Sequence, residues 1–204
     1  MNEIDSYLYG LLITDGCLTL STRNRGKVYL EVSIKDGDII DKLYNLIPDS
    51  NQIRYRTRNT KFSNNYSTKI FSNTKKDFRD KLINQGFPTK EKTLNANTPV
   101  ISYNKYHFWR GVIDGDGSLG FTKTGIPFVS LVTKSEHLKI KYLEFLKEEL
   151  GIEKNINRNK RDGVYNIIVT RDKAKKLSEL LYISNKIDNL YIDRKYKKAL
   201  ELNK

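Results

Sequence analysis

The second half of this chain can be laid over the first, and that duplication limits what it can fold into. "YGLLITDG" (residues 9–16) falls on "RGVIDGDG" (110–117), pairing Gly10 with Gly111, Asp15 with Asp116 and Gly16 with Gly117. "CLTLST" then falls on "SLGFTK", and "YLEVSIKDGDIIDKLYNLI" on "FVSLVTKSEHLKIKYLEFL". "NQIRYR" matches "KNINRN", and "KIFSNTKKDFRDKL" matches "IIVTRDKAKKLSEL". A period near a hundred residues is too long for a solenoid, so the chain reads as a pseudo-dimer of two similar units.

Each unit has the same expected elements. An apolar helix comes first and ends at the shared aspartate. Two strands follow, and in the first unit Val28, Leu30, Val32 and Ile34 alternate with Tyr29, Glu31 and Ser33. Asp36 and Ser135 are placed as N-caps of a second helix running to about Ile47 and Leu150. Two further strands are expected near 52–59 and 66–73, repeated near 154–160 and 164–170. A third helix closes each unit, near 75–85 and 172–183, and "NLYIDRKYKKALELN" makes a final basic helix. The fold class is therefore α+β, a duplicated αββαββα order with two antiparallel sheets. The units span 1–86 and 102–204, and 87–101, with "GFPTKEKTLNANTPVIS" across it, reads as the linker.

The charge balance points to the partner. With 37 Lys and Arg against 24 Asp and Glu, the net charge is 37 − 24 = +13, which calls for a polyanion. The basic residues are spread through strand-like segments rather than gathered on one amphipathic helix. That places nucleic acid ahead of a membrane surface, and no apolar run approaches a membrane span. Antiparallel sheets need cover on one face only, and the other face collects the candidates for nucleic-acid contact. Arg54, Arg56 and Arg58 project from one side of a strand, with Asn157, Asn159 and Arg161 in the repeat. Thr19, Ser21 and Arg23 share the outward face of the first strand; Tyr29, Glu31, Ser33 and Lys69 join them, with Thr122 and Ser130 in the second unit. Such side chains bond base edges and phosphates, and a β-ribbon fits the major groove. Cys17 is the only cysteine, which suits an intracellular, reducing compartment, whether the cytoplasm of a bacterium or phage-infected cell or an organelle matrix. "MNEIDSYLYG" has no secretory features. His107 and His137 read as ordinary helix residues.

The acidic motifs carry the chemistry. An EF-hand loop starting at Asp114 fails, because Leu119 and Gly125 stand where Gly and Glu are required. A simple helix-ending turn explains one copy, but not the recurrence of the aspartate five residues beyond a glycine. If the helices cross at Gly10 and Gly111, both C-termini arrive together, each with one carboxylate. Such a pair at two negative helix ends calls for a hard divalent cation. Asp114 faces Ile13 in the alignment, so it lies outside the shared pair and looks dispensable.

"LYGLLITDG" and "WRGVIDGDG" resemble the two motifs of the LAGLIDADG homing endonucleases in their single-chain form. The resemblance implies Mg²⁺-dependent cleavage of both strands of a long, asymmetric DNA site by a monomer, with Mn²⁺ or Ca²⁺ able to occupy the site. Asp15 and Asp116 would bind metal, helped by the carbonyls of Thr14 and Gly115. A lysine after each third helix would support the site: Lys92 and Lys195, with Lys90 and Lys186 as rivals. The family also contains maturases, which makes intron RNA an alternative partner, and a non-cleaving DNA-binding protein is a further alternative. Ile13 and Tyr9 depart from the family pattern, and Tyr9 could alter how the helices pack.

Overall fold

The computed structural model describes residues 1–22, 25–47, 51–59, 64–185 and 189–204. Its centre is a pair of helices, α1 (Glu3–Thr14) and α5 (Lys105–Asp116). Asn2 and Asn104 cap them by accepting backbone N–H groups one turn in. Ser6 Oγ accepts the N–H of Asn104 at 3.0 Å and joins the two starts. Eight consecutive residues of each helix are buried, so neither has a solvent face through its middle.

Each central helix runs directly into a sheet. In the first unit β1 (Gly16–Leu20), β2 (Gly26–Ser33), β3 (Asn51–Arg58) and β4 (Tyr66–Asn73) form an antiparallel sheet of order β1-β2-β4-β3. Val28, Leu30, Val32 and Phe71 turn to the buried side, covered by α2 (Asp38–Leu46) and α3 (Lys76–Asn84). Ile34 does not join them. The chain enters a 3-10 turn at Ile34–Asp36, and Ile34 is exposed. That turn also moves the start of α2, whose N-cap is Gly37 rather than Asp36. Ser135 does cap α6 (Glu136–Leu150), accepting the N–H of Leu138 at 3.2 Å.

The second sheet differs from the first. Among the described residues it holds β5 (Gly117–Phe121), β6 (Pro127–Thr133) and β7 (Tyr165–Thr170), in that order. The strand expected near 154–160 does not form. The segment runs beside β7, with Lys154 Nζ on the Ile168 carbonyl and the Asn159 N–H on the Val164 carbonyl. "NINRNKRDG" explains this: it is rich in Asn and charge, has one apolar residue, and has little to bury on a sheet. Helix α7 (Arg171–Glu179) continues into a π-helical turn at Leu180–Ser184. Within the expected linker a short helix, α4 (Lys92–Asn95), appears, and α8 (Asp193–Leu202) ends the fold.

Candidate active site at the paired helix ends

Three glycines set the geometry. A Cβ on Gly10 would strike the Phe108 carbonyl. One on Gly111 would strike the Tyr7 carbonyl and come within 2.7 Å of the Leu11 nitrogen. Both obstacles are backbone, so α1 and α5 touch along their main chains. Gly115 lies one turn further on, where a Cβ would sit 2.7 Å from Thr14 Cβ and 3.5 Å from Asp15 Cγ. The two C-terminal ends are thereby brought side by side.

Asp15 and Asp116 emerge at those ends. Solvent reaches their tips, yet crowding around them holds back enough water to make ionisation costly. Burial, then the neighbouring Asp116, pushes the Asp15 carboxyl up to about 6, while Lys195 and Lys92 pull it down. Burial also raises Asp116, against the pull of Lys92 and then Lys195. Both lysines therefore act on both aspartates. Two facing carboxylates with raised affinity for a proton have the same reason to hold a cation.

The lysines occupy equivalent places. Lys92 Nζ donates to the carbonyls of Leu12, at 3.4 Å, and Thr14. Lys195 Nζ donates to Ile113 (2.7 Å), Asp114 (2.6 Å), Gly115 (3.5 Å) and Gly117 (2.9 Å). Each lysine caps the C-terminus of its own unit's central helix, where the helix dipole favours a cation. Burial lowers the proton affinity of both. The carbonyls of Thr14 and Gly115 thus accept from a lysine here, each with a second lone pair left over. Lys186, the rival to Lys195, lies outside the described residues.

What holds Lys195 was not visible beforehand. Asp114 turns away from the paired carboxylates into the protein. There it accepts from Tyr7 Oη (2.6 Å), Tyr182 Oη (2.7 Å) and the Ile192 N–H (3.1 Å). It joins α1, the π-helical turn and the start of α8, which carries Lys195. It is outside the carboxylate pair but far from dispensable to the structure. The first unit grips α8 as well. Arg194 makes a bidentate pair with Asp36 at 2.8 and 2.9 Å. Asp38 accepts the Asp193 N–H at 2.9 Å, and Lys42 bonds Asp38, Asp193 and the Tyr191 carbonyl. The Lys92 side is held by a neutral contact, Ser135 Oγ on the Ala96 carbonyl at 2.5 Å.

Tyr9 and Arg110 occupy matching positions, and each also touches the opposite central helix: the Tyr9 ring lies 6.2 Å from that of Phe108, and Arg110 stands 5.4 Å from the Tyr7 ring. Tyr9 packs edge-on to Phe87 at 5.6 Å. Arg110, fully buried, donates to the carbonyls of Leu181 (3.0 Å) and Asn185 (2.7 Å). Each anchors its central helix to the segment after its own third helix, and the close glycine contact forms with Tyr9 in place.

The candidate contact residues divide. On the open face of the first sheet stand Thr19, Tyr29, Glu31, Arg54, Arg56 and Arg58. Glu31 lies 3.9 Å from Arg56 and 3.6 Å from Arg58 and accepts from Thr68 at 2.8 Å, while Arg54 donates to Gln52 at 2.9 Å. Ser33 accepts the Lys35 N–H at the strand's end, and Ser21 is exposed just past β1. Lys69 does not belong with them. Its strand partners are Val32 and Tyr55, and it is buried on the helix side with Asp41 at 2.6 Å. Ile167, its counterpart in the duplication, was the available warning. Ser130 is on the open face of the second sheet. Thr122 lies in the hairpin turn that follows β5. Asn157, Asn159 and Arg161 stand on the segment that forms no strand, so they do not mirror the arginines on a sheet face. Arg23 lies outside the described residues.

A duplicated α+β architecture, with two glycine-packed helices ending in paired aspartates between two open sheets, defines the class. Residues 104–182 match the family model described as a LAGLIDADG-like domain. The chain as a whole has the fold of the single-chain LAGLIDADG homing endonucleases. It superposes on the homing endonuclease I-WcaI bound to its DNA recognition sequence, with TM-score 0.65, 17% identity, and 97% of this chain and 86% of that one covered. I-SmaMI, bound to uncleaved DNA in the presence of calcium ions, gives TM-score 0.52 and 14% identity, covering 100% and 98%. I-GzeII, in complex with its DNA target, gives 0.51 and 11%, covering 100% and 97%. No curated protein matches the chain in a sequence comparison.

Proposed function

We propose that the protein is a site-specific double-strand DNA endonuclease, dependent on a divalent cation, with Mg²⁺ as the working ion. The observation that carries this reading is the pair Asp15 and Asp116, set at touching helix ends where their own repulsion calls for a cation. Among the described residues no group of three or more His, Cys, Asp or Glu side chains is placed to hold a metal. A cation between the helix ends would therefore rest on two carboxylates, the Thr14 and Gly115 carbonyls, water and a phosphate of the substrate. That donor set suits Mg²⁺, which keeps much of its water and binds few protein ligands. When bound, such an ion polarises the scissile phosphate and lowers the pKa of a coordinated water. The protein's part is to hold the two carboxylates in register and to keep a buried cation at each helix end. The open sheets, one on either side, would follow the duplex.

Support also comes from the relatives of the same fold, which are bound to DNA targets, one of them with calcium. The two sheets differ in residues and in strand number, so the target need not be palindromic. Incubation with a randomised duplex library and Mg²⁺, followed by sequencing of cut ends, tests the proposal. Recovery of one long site cut in both strands is expected. Binding without any cut strand in Mg²⁺ or Mn²⁺ would overturn it.

A further inference from the structure

The two open faces have opposite chemistry. On the first stand Lys27, Glu31, Arg54, Arg56 and Arg58, five charged side chains with Thr19, Tyr29 and Gln52 among them. The duplication puts Phe128, Ser130 and Val132 where the first face has Tyr29, Glu31 and Ser33. Ile168 stands where the first face has Ile70. Ile70 is flanked by Glu31 and Arg54 as its strand partners. Ile168 has Ser130 on one side and, because the fourth strand is missing, no arginine strand on the other.

The result is a face whose strands carry no charge. Its side chains are Ser118, Phe128, Ser130, Val132, Asn166, Ile168 and Thr170. Val132 is 39% exposed and Ile168 41% exposed, so both can be reached from the open side. The ring of Phe128 lies over Gly120, where a Cβ would meet it at 3.9 Å. The unit is not short of cations, but they sit at the edges, among them Lys154, whose Nζ donates to the Ile168 carbonyl at the outer edge of β7. Lys123 is in the hairpin turn, and Lys160 and Arg161 are in the turn before β7, all exposed. Cations around a neutral centre are placed for phosphates, and the centre is placed for base edges.

Resting on the endonuclease reading of these faces as the DNA-contact surface, we infer that the two half-sites are read by different means. The first sheet reads polar base edges through its arginines. The second sheet reads thymine methyl groups in the major groove through Val132 and Ile168, with Ser130 and Asn166 beside them for polar edges. The thymine C5-methyl is the one apolar feature a base pair offers in that groove. Burying it against a branched aliphatic group is worth roughly fourfold in affinity per methyl. The half-site beneath the second sheet therefore carries thymines where Val132 and Ile168 meet it, whereas the arginines of the first sheet need none.

The test uses the full chain and separates binding from cutting. Duplexes are selected from a randomised library by equilibrium binding without Mg²⁺. The half whose profile changes with Arg56→Ala is assigned to the first sheet. Thymines in each half are then replaced by uracil, which removes only the methyl. Weakening of roughly fourfold per methyl in the second half alone is expected. The double variant Val132→Ser, Ile168→Ser, which removes the aliphatic groups from both positions, should bind thymine and uracil duplexes equally. Equal uracil sensitivity in both halves, none in the second, or sensitivity that survives the double variant would each overturn the inference. So would a failure to bind any duplex. A selected site that is bound but never cut when Mg²⁺ is added would defeat the nuclease reading alone and leave this one standing.

Discussion

At the residue scale, the shared aspartates and the unshared one have opposite work. Asp114 satisfies two tyrosine hydroxyls and a helix-starting N–H in a fully buried place. Asp114→Ala would leave three buried donors unpaired, at a cost of about 3–5 kcal/mol. Thermal unfolding should show a fall in Tm of about 10 °C; a change under 2 °C would remove Asp114 from this role. Asp15 behaves the other way. Its folded-state pKa of about 6 lies above its ordinary value of 3.8, so the folded state holds the proton more tightly than the unfolded chain does. Its ionisation therefore lowers stability as pH rises from about 4 through 6, and the penalty is complete above that. Asp15→Asn should raise Tm at pH 7, by about 2 °C once solvent screening is allowed for, and change it far less at pH 4. A Tm gain of the same size at both values would show that the carboxylate is not under strain. The shared aspartates were legible because they recur. The partners of Asp114 lie 68, 78 and 107 residues away along the chain, and no local pattern marks such a meeting.

At the element scale, the glycine contact and the clasp on α8 can be broken separately. Gly111→Ala sets a methyl against the Tyr7 carbonyl and Leu11 nitrogen, both in helical backbone. The helices have to part, at a cost of more than about 3 kcal/mol, and denaturant melts should show it. The clasp is different. Arg194→Ala removes the bidentate pair with Asp36, which is largely exposed on the arginine side, so Tm should fall by only about 1–2 °C. Its effect should fall on Lys195, slowing one strand's cleavage and leaving nicked duplex to accumulate; equal slowing of both strands would contradict this. The helices, the first sheet and the order of elements followed from apolar periodicity and from the repeat. The missing fourth strand of the second sheet did not. There the alignment carried a strand onto a segment with too few apolar residues to sustain one. Lys69 was misplaced for a related reason, because a lysine in a strand reads as outward until Asp41 on α2 is seen to meet it.

At the scale of the whole molecule, two unequal units meet through one symmetric centre. The helix ends, their aspartates and their lysines obey the pseudo-two-fold relation, while the sheets and the supports behind each lysine depart from it. Such a molecule would treat two strands of one asymmetric duplex by the same chemistry. The most direct measurement is strand-resolved cleavage of a selected duplex in Mg²⁺ by the wild-type chain, Asp15→Asn and Asp116→Asn, with binding measured alongside. Each variant should bind as the wild type does and lose double-strand cleavage. Full double-strand cleavage by either variant would contradict this.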